Sequence, residues 1–494
     1  MKAVLTVEGL WVVRADLCRR LGSRWGDFLA RLTVTHTPKK GMPVVVQLYR
    51  MSGKYIRLPR YIAIALANIL DVEDKLPAPR QIGAVLEMPL FPSQEVVIDY
   101  LCSHVFNGAH QSTLLNVRAG YGKTFIAAGL IARLKLRTLY ITVKRPLAEQ
   151  AQMDLRKVLG DSCEIGLYKR QSGSLELWDV TSQDVTIIVI NSALKCPSEF
   201  FARYSLIVFD EIHLMCSGGF GQIFWKTCAR ACLGMSATTN ERRDGFDVVA
   251  RKFMGGETRA EDIPGFSYDD VRFDIRVDLI RYDGPADKTR NLRHETTGDI
   301  FNHYMVRQLM SDQWRTQLIV DRIIDLCRWR GPAGEKHKIF AYCEECAPLA
   351  ALRDLIIAET GAIVADEVTG KSTKSADIRA AIDGAQVILT TYALLGTGVS
   401  VLECTAEVFL FPRRSGMKQI VGRALRRGSN PAIPRIIVDI VDNRTALRHQ
   451  VNDRMIAYDF YGAFVNETHI EWSDMRQKAT SEGERDAAID YVTA

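Results

Sequence analysis

Two short stretches carry residue types suited to phosphoryl-transfer chemistry. Val117-Arg-Ala-Gly120-Tyr-Gly122-Lys123-Thr124 lies between the apolar pair Leu114 and Leu115 and a helical run, Phe125 to Leu134. Strand, glycine-rich loop and helix N-terminus in that order bring backbone N–H groups and a favourable dipole to phosphate oxygens. Lys123 can reach the β and γ oxygens, and Thr124 can ligate Mg²⁺. Val117 stands where the G-x-x-x-x-G-K-T spacing has its first glycine. Farther on, Leu206-Ile-Val-Phe209 runs into Asp210-Glu211-Ile-His213, so an apolar strand delivers two adjacent carboxylates. Asp210 is suited to hold Mg²⁺, and Glu211 to orient and deprotonate an attacking water. The interval between Lys123 and Asp210 leaves room for the intervening strands of a nucleotide-binding domain.

These residues need a scaffold, and the chain has one pattern that supplies it. From Leu90 onward short β-branched runs alternate with helical stretches: Thr138 to Val143, Val185 to Ile190, Leu206 to Phe209, Ile339 to Tyr342, Val387 to Thr391, Val408 to Phe411 and Ile436 to Ile440. Such alternation predicts parallel sheets with crossover helices, an α/β fold. The series breaks between about Gly255 and Thr297, which reads as an inserted segment with one extended run, Val271 to Ile280. Residues 1–85 read as a small α+β domain. Leu76-Pro-Ala-Pro-Arg80 disfavours helix and reads as the linker that follows it.

With 494 residues, several domains are expected. A hydrophobic share of 47% and a charged share of 25% exclude wholesale disorder. The formal charge is +6. It is unevenly placed, because residues 1–90 hold fourteen Lys and Arg against seven Asp and Glu. The 11 cysteines, an odd number scattered along a long chain, predict reduced thiols rather than a disulfide framework. Cys343-x-x-Cys346 has no second pair at zinc-ribbon spacing and reads as structural. Trp314 and Trp329 flank a helical run and read as packing residues. No apolar run is long enough to span a bilayer, so the expected setting is cytoplasmic.

Taken in order, the motifs resemble those of superfamily 2 helicases over about 350 residues, Leu90 to Asp442. Asp210-Glu-Ile-His213 resembles the DExH box, and Gly234-Met-Ser236-Ala-Thr238 the Ser-Ala-Thr motif that couples hydrolysis to movement. Gln419-Ile-Val-Gly422-Arg423-Ala-Leu-Arg426 is similar to the Q-x-x-G-R-x-x-R motif, whose arginines reach the nucleotide from the second motor domain. Leu90-Phe-Pro-Ser-Gln94 resembles the element whose glutamine recognises adenine. Val143-Lys-Arg-Pro-Leu147 resembles a strand-contacting motif, with Lys144 in place of the usual threonine. Thr390 to Ser400 resembles motif V, with Ser400 where aspartate is frequent.

The resemblance implies two RecA-like parallel-sheet motor domains, at 86–254 and 301–445, with a basic N-terminal accessory or DNA-binding domain at 1–85. An inserted segment at 255–300 and a C-terminal helical extension at 446–494 complete the chain. The implied cofactors are ATP and Mg²⁺. Lys123, Asp210, Glu211, Arg423 and Arg426 are the implied catalytic set, and Gln94, Gly120, Gly122, Thr124 and Gly398 bind nucleotide. Coupling falls to His213, Ser236, Thr238 and Gln419, and nucleic-acid contact to Lys144, Arg145, Asn191 and Thr391. Ser236-Ala-Thr-Thr-Asn-Glu-Arg242-Arg243-Asp244-Gly245 is similar to the S-A-T-P-x-R-x-D-G extension of phage branch-migration and repair helicases. That likeness implies a motor on double-stranded or branched DNA, remodelling forks and Holliday-type junctions in a phage-infected or bacterial-type cytoplasm; the lack of an apolar span implies no membrane partner. An RNA helicase or transcript-release ATPase, and a nucleic-acid-dependent ATPase switch that clamps without unwinding, share the same core motifs.

Overall fold

The computed structural model describes the chain except residues 38–41, 63–65, 67, 109–110, 169–182, 218, 240–243, 269–272, 294–297, 299, 345–348, 366–374, 393–403, 412, 414–415, 426–429 and 481–494. Two compact units emerge, Met1–Asp270 and Val271–Ala494.

The first unit opens with β1 (Lys2–Thr6) and β2 (Gly9–Val13), an antiparallel hairpin. Gly9 has φ +114°, and a Cβ there would sit 2.8 Å from the Leu58 carbonyl oxygen, so this turn requires glycine. Helices Arg14–Leu21 and Trp25–Arg31 follow. Next come a two-stranded hairpin, β3 (Thr33–His36) and β4 (Val44–Gln47), then β5 (Arg50–Ser52), β6 (Tyr55–Leu58) and β7 (Asp71–Asp74). The five-stranded sheet has the order β5-β6-β2-β1-β7. Alternate residues of β1 and β2 point inward, and Leu5, Leu10, Val12, Ile56 and Leu58 are buried.

Seven parallel strands form the core of the same unit: β8 (Gln111–Asn116), β9 (Thr138–Thr142), β10 (Ile165–Leu167), β11 (Val185–Val189), β12 (Leu206–Asp210), β13 (Ala231–Ser236) and β14 (Glu257–Arg259). Their order is β10-β11-β9-β12-β13-β8-β14. Every residue of β9, β12 and β13 is buried, as expected of parallel strands covered on both faces.

The second unit repeats the plan with β15 (Ile275–Asp283), β16 (Ile339–Cys343), β17 (Val364–Ala365), β18 (Val387–Thr391), β19 (Ala406–Phe409), β20 (Arg435–Asp442) and β21 (Phe464–Glu471). This sheet is also parallel, in the order β17-β18-β16-β19-β20-β15-β21. The expected pair of parallel-sheet α/β domains is therefore present.

Three boundaries differ from the sequence reading. Residues 255–300 are not an insert: β14 closes one edge of the first sheet, and β15 lies inside the second, between β20 and β21. Arg276 and Asp278 alternate with the buried Ile275, Val277 and Leu279, so the extended stretch read in the sequence is a core strand rather than part of an insert. Nor are residues 446–494 only helical, because the crossover helix Val451–Phe460 leads into β21. Finally, Leu76 to Arg80 is not a loose tether. The Arg230 guanidinium donates to the Leu76 carbonyl at 2.7 Å and the Pro77 carbonyl at 3.0 Å, and the Arg80 N–H donates to Ser205 Oγ at 2.7 Å. No helix among the described residues is long and apolar enough to cross a membrane. Ten cysteines are free among them, and Cys346 lies outside the described residues.

Candidate active site

Parallel strands present their carboxyl ends on one edge of a sheet, where loops can converge on a ligand. In the first unit that edge carries the phosphate loop after β8, Lys144 and Arg145 after β9, Asn191 after β11, Asp210 and Glu211 at the end of β12, and Ser236 to Thr238 at the end of β13. Lys144, Arg145 and Asn191 are exposed, and Arg145 pairs with Glu149 at 2.9 Å. Residues far apart in sequence are thus assembled by sheet order alone.

The phosphate loop depends on two left-handed glycines, Gly120 at φ +81° and Gly122 at φ +89°. Helix Lys123–Leu134 starts immediately after Gly122. A Cβ on Gly122 would come within 2.6 Å of Gln94 Nε2, so the position is closed to side chains on two counts. Val117 is fully buried, and its N–H donates to the Ser236 carbonyl at 3.2 Å. It continues the sheet, which accounts for an apolar residue where the motif has a glycine. Gln94 is 2% exposed; its Nε2 donates to the Tyr121 carbonyl at 3.0 Å, and its Oε1 accepts from the Phe91 N–H at 3.1 Å. The glutamine expected to read adenine is therefore also a brace for the loop.

Lys123 Nζ lies 2.5 Å from Glu211 Oε1. Glu211 adopts φ +50°, ψ +48°, a left-handed conformation that a non-glycine residue adopts only when its surroundings hold it there. Its Oε2 is 3.4 Å from His213 Nδ1, and that nitrogen is 2.8 Å from Ser236 Oγ. Ser236 Oγ accepts in turn from the Thr238 N–H at 3.0 Å. Pairing of β12 with β13, Asp210 opposite Met235, brings this chain of contacts together. It links the carboxylate pair to the Ser-Ala-Thr segment without a gap.

Asp210 is 7% exposed, and burial, followed by the Glu211 charge, pushes its carboxyl up to about 6. The buried Tyr140 phenol on β9 is raised well above its ordinary value by burial and then by the Asp210 charge, with Thr124 also adjacent. Asp210 and Thr124 thus offer two hard oxygen donors where negative charge lacks full compensation. This fits Mg²⁺ carried by phosphates. No group of three or more His, Cys, Asp or Glu suited to a metal occurs among the described residues.

The raised Asp210 carboxyl has a stability consequence with a definite sign. Ionised Asp210 is disfavoured in the fold relative to the unfolded chain, so it lowers stability above about pH 6, and the penalty fades as pH falls toward 4. Asp210→Asn is expected to raise the thermal midpoint at pH 8 by a few degrees, to lose that advantage near pH 4, and to abolish ATP hydrolysis. Melting curves at both pH values, alongside an ATPase assay, check this. A lower midpoint at pH 8 would show that the charge is already compensated.

In the second unit, Thr391 ends β18 and is buried, while helix Met417–Ala424 carries the half-buried Gln419 and Arg423. Gly398, Ser400, Arg426, Arg242 and Arg243 lie outside the described residues. Sequence reasoning passed over Asn116, Thr239 and Glu257, whose side chains join beside the phosphate loop. No spacing rule marks them, since they meet through the pairing of β14 and β13 with β8.

Residues 87–241 match the family model described as type III restriction enzyme, res subunit. A protein of African swine fever virus named as an ATP-dependent RNA helicase is 28% identical over 481 residues, covering 93% of this chain and 91% of that protein. A protein of Escherichia phage T5 named as a helicase is 24% identical over 447 residues, covering 87% and 90%. Among solved structures, a fragment of a type I restriction enzyme HsdR subunit from Vibrio vulnificus superposes with TM-score 0.50 at 18% identity, over 77% of this chain and 68% of that one. That last likeness is one of fold.

Proposed function

We propose that this chain is a superfamily 2 helicase and ATPase that uses ATP hydrolysis at the phosphate-loop edge of its first sheet to translocate on and remodel double-stranded or branched DNA. The contact between Lys123 and Glu211, continued through His213 to Ser236, carries this reading. Lys123 holds the general-base candidate until phosphates arrive. The ammonium then transfers to the β and γ oxygens, and Glu211 is released to orient a water and accept its proton. The water oxygen bonds to the γ phosphorus as the bond to the β–γ bridging oxygen breaks, leaving ADP and phosphate. Mg²⁺, held by Thr124 and Asp210 together with the phosphates, would neutralise charge that develops on the transferred group.

The change at Glu211 reaches His213 and Ser236, and so the segment proposed to link hydrolysis to movement. Arg423 and Arg426 are proposed to stabilise the spreading negative charge, a task suited to planar guanidinium groups. Gln419 and Gly398 belong to the same nucleotide response. Exposed Lys144, Arg145 and Asn191 are proposed to contact the nucleic-acid backbone, whereas Thr391 is buried and is not proposed for that role.

A second reading has its own support. The relative that is 28% identical over 93% of this chain is named as an RNA helicase, which makes RNA a direct rival to DNA as substrate. ATPase turnover measured with single-stranded, duplex, forked and four-way DNA and matched RNAs separates the two. Stimulation by forks and four-way junctions above all others is the expected result. Stimulation by RNA alone would transfer the motor to RNA, and hydrolysis without strand displacement on any substrate would leave a clamp.

A further inference from the structure

Glycine gives the phosphate loop its shape and also its freedom, so something outside the motif must restrain it before phosphates bind. Residues 257–268 touch the loop at both flanks. On the strand side, Glu257 Oε1 accepts from Asn116 Nδ2 at 2.9 Å and from Thr239 Oγ1 at 2.7 Å, while Asn116 Nδ2 also donates to Thr239 Oγ1 at 2.7 Å. Arg259 Nε lies 3.3 Å from the same carboxylate oxygen. Burial works against the Glu257 charge, yet the Asn116 and Thr239 hydrogen bonds and the Arg259 charge outweigh it and hold the carboxyl below its ordinary value.

On the loop side, the Tyr268 hydroxyl accepts from the Arg118 N–H at 3.2 Å and donates to Glu261 Oε1 at 2.9 Å. The Arg118 guanidinium lies 4.2 Å from the centre of the Tyr268 ring. Tyr121, between the two loop glycines, is 4% exposed because Phe266 and Tyr268 enclose it, with ring centres 5.3 and 5.0 Å away. Phe266 and Tyr268 are themselves 4.8 Å apart and perpendicular. Three mutually packed aromatic rings, two pairs edge-on and one tilted, form a stiff unit, and Gln94 on helix Pro92–Tyr100 grips the Tyr121 carbonyl.

We propose that Glu257 and Tyr268 are positioning residues for ATP binding, anchoring a strap over residues 257–268 that holds the phosphate loop in its phosphate-ready shape. The inference rests on the reading that this loop binds ATP. Neither residue reaches the reacting atoms. Their effect is on the conformational freedom that the loop must lose when it closes on phosphates, so it belongs to binding rather than to the chemical step.

Steady-state kinetics of the full chain with saturating nucleic acid test this. Tyr268→Phe keeps the ring and deletes only the hydroxyl, and Glu257→Ala deletes the carboxylate. Each is expected to raise KM for ATP about threefold to tenfold, the range for one lost hydrogen bond, with kcat within about twofold of wild type. Glu257→Gln, which keeps an acceptor oxygen, should recover part of the loss. Melting without nucleotide should change little in Tyr268→Phe, while the midpoint gain on adding ATP should shrink. Unchanged KM in both variants, or a fall in kcat and melting point at constant KM, would overturn the strap as a binding device. Absence of ATP hydrolysis in the wild-type chain with every nucleic acid would remove the ATPase reading itself, and the inference with it.

Discussion

Glu211→Gln will bind ATP with near wild-type affinity and hydrolyse it at least about a hundredfold more slowly, in line with the loss of a general base. The amide keeps the volume of the carboxylate and can still face Lys123, so the fold and the left-handed backbone at residue 211 persist. What it loses is a site for the proton of the attacking water. Lys123→Ala fails by another route. The ammonium that meets Glu211, and that is proposed to meet the phosphates, is gone, so affinity and turnover are expected to fall together. Equilibrium binding of a fluorescent ATP analogue, measured beside kcat, distinguishes the two patterns. Turnover near wild type in Glu211→Gln would place the base elsewhere.

Removing residues 1–75 will yield an aggregating chain rather than a trimmed motor. Charge alone suggests a detachable nucleic-acid module, but its apolar side chains share one core with the first parallel sheet. Leu5, Leu10, Leu17, Ile56 and Leu58 belong to the same buried cluster as Ile207, Phe209, Phe224, Trp225 and Phe253. Arg57 donates to the Glu8 carbonyl at 2.6 Å and to the Trp225 carbonyl, and the Cys228 N–H donates to the Val7 carbonyl at 2.9 Å. Exposing several large apolar side chains at about 1.5 to 3 kcal/mol each removes an amount comparable to the whole stability of a domain, about 5 to 15 kcal/mol.

Light scattering and a melting curve of residues 76–494 check the outcome. A soluble, cooperatively melting truncation would show that the motor core closes without its cap. The basic character is tested on the intact chain instead. Reversing the charge at exposed Arg19, Arg20, Arg24 and Arg31 should weaken nucleic-acid binding and flatten its salt dependence, while leaving the shared core untouched.

What the sequence determined by itself is the chemistry that is contiguous. A glycine-rich loop between strand and helix, and two carboxylates at the end of an apolar strand, are legible because neighbouring residues share one local geometry. Gly120, Gly122, Lys123, Thr124, Asp210 and Glu211 could be named from spacing, and the alternation of β-branched and helical runs carried the two parallel sheets. Tertiary structure alone decided how distant segments meet. Sheet order set β12 beside β13 and so joined His213 to Ser236. Register set Arg259 opposite Asn116, which brings Glu257 and then Tyr268 to the loop. It also placed the charge-striped β15 between β20 and β21, and merged the basic N-terminal sheet with the core of the first parallel sheet. The physical reason is the same in each case: hydrogen-bonded register and shared apolar burial act between residues far apart in the chain, and no local pattern of residue types encodes which strands will become neighbours.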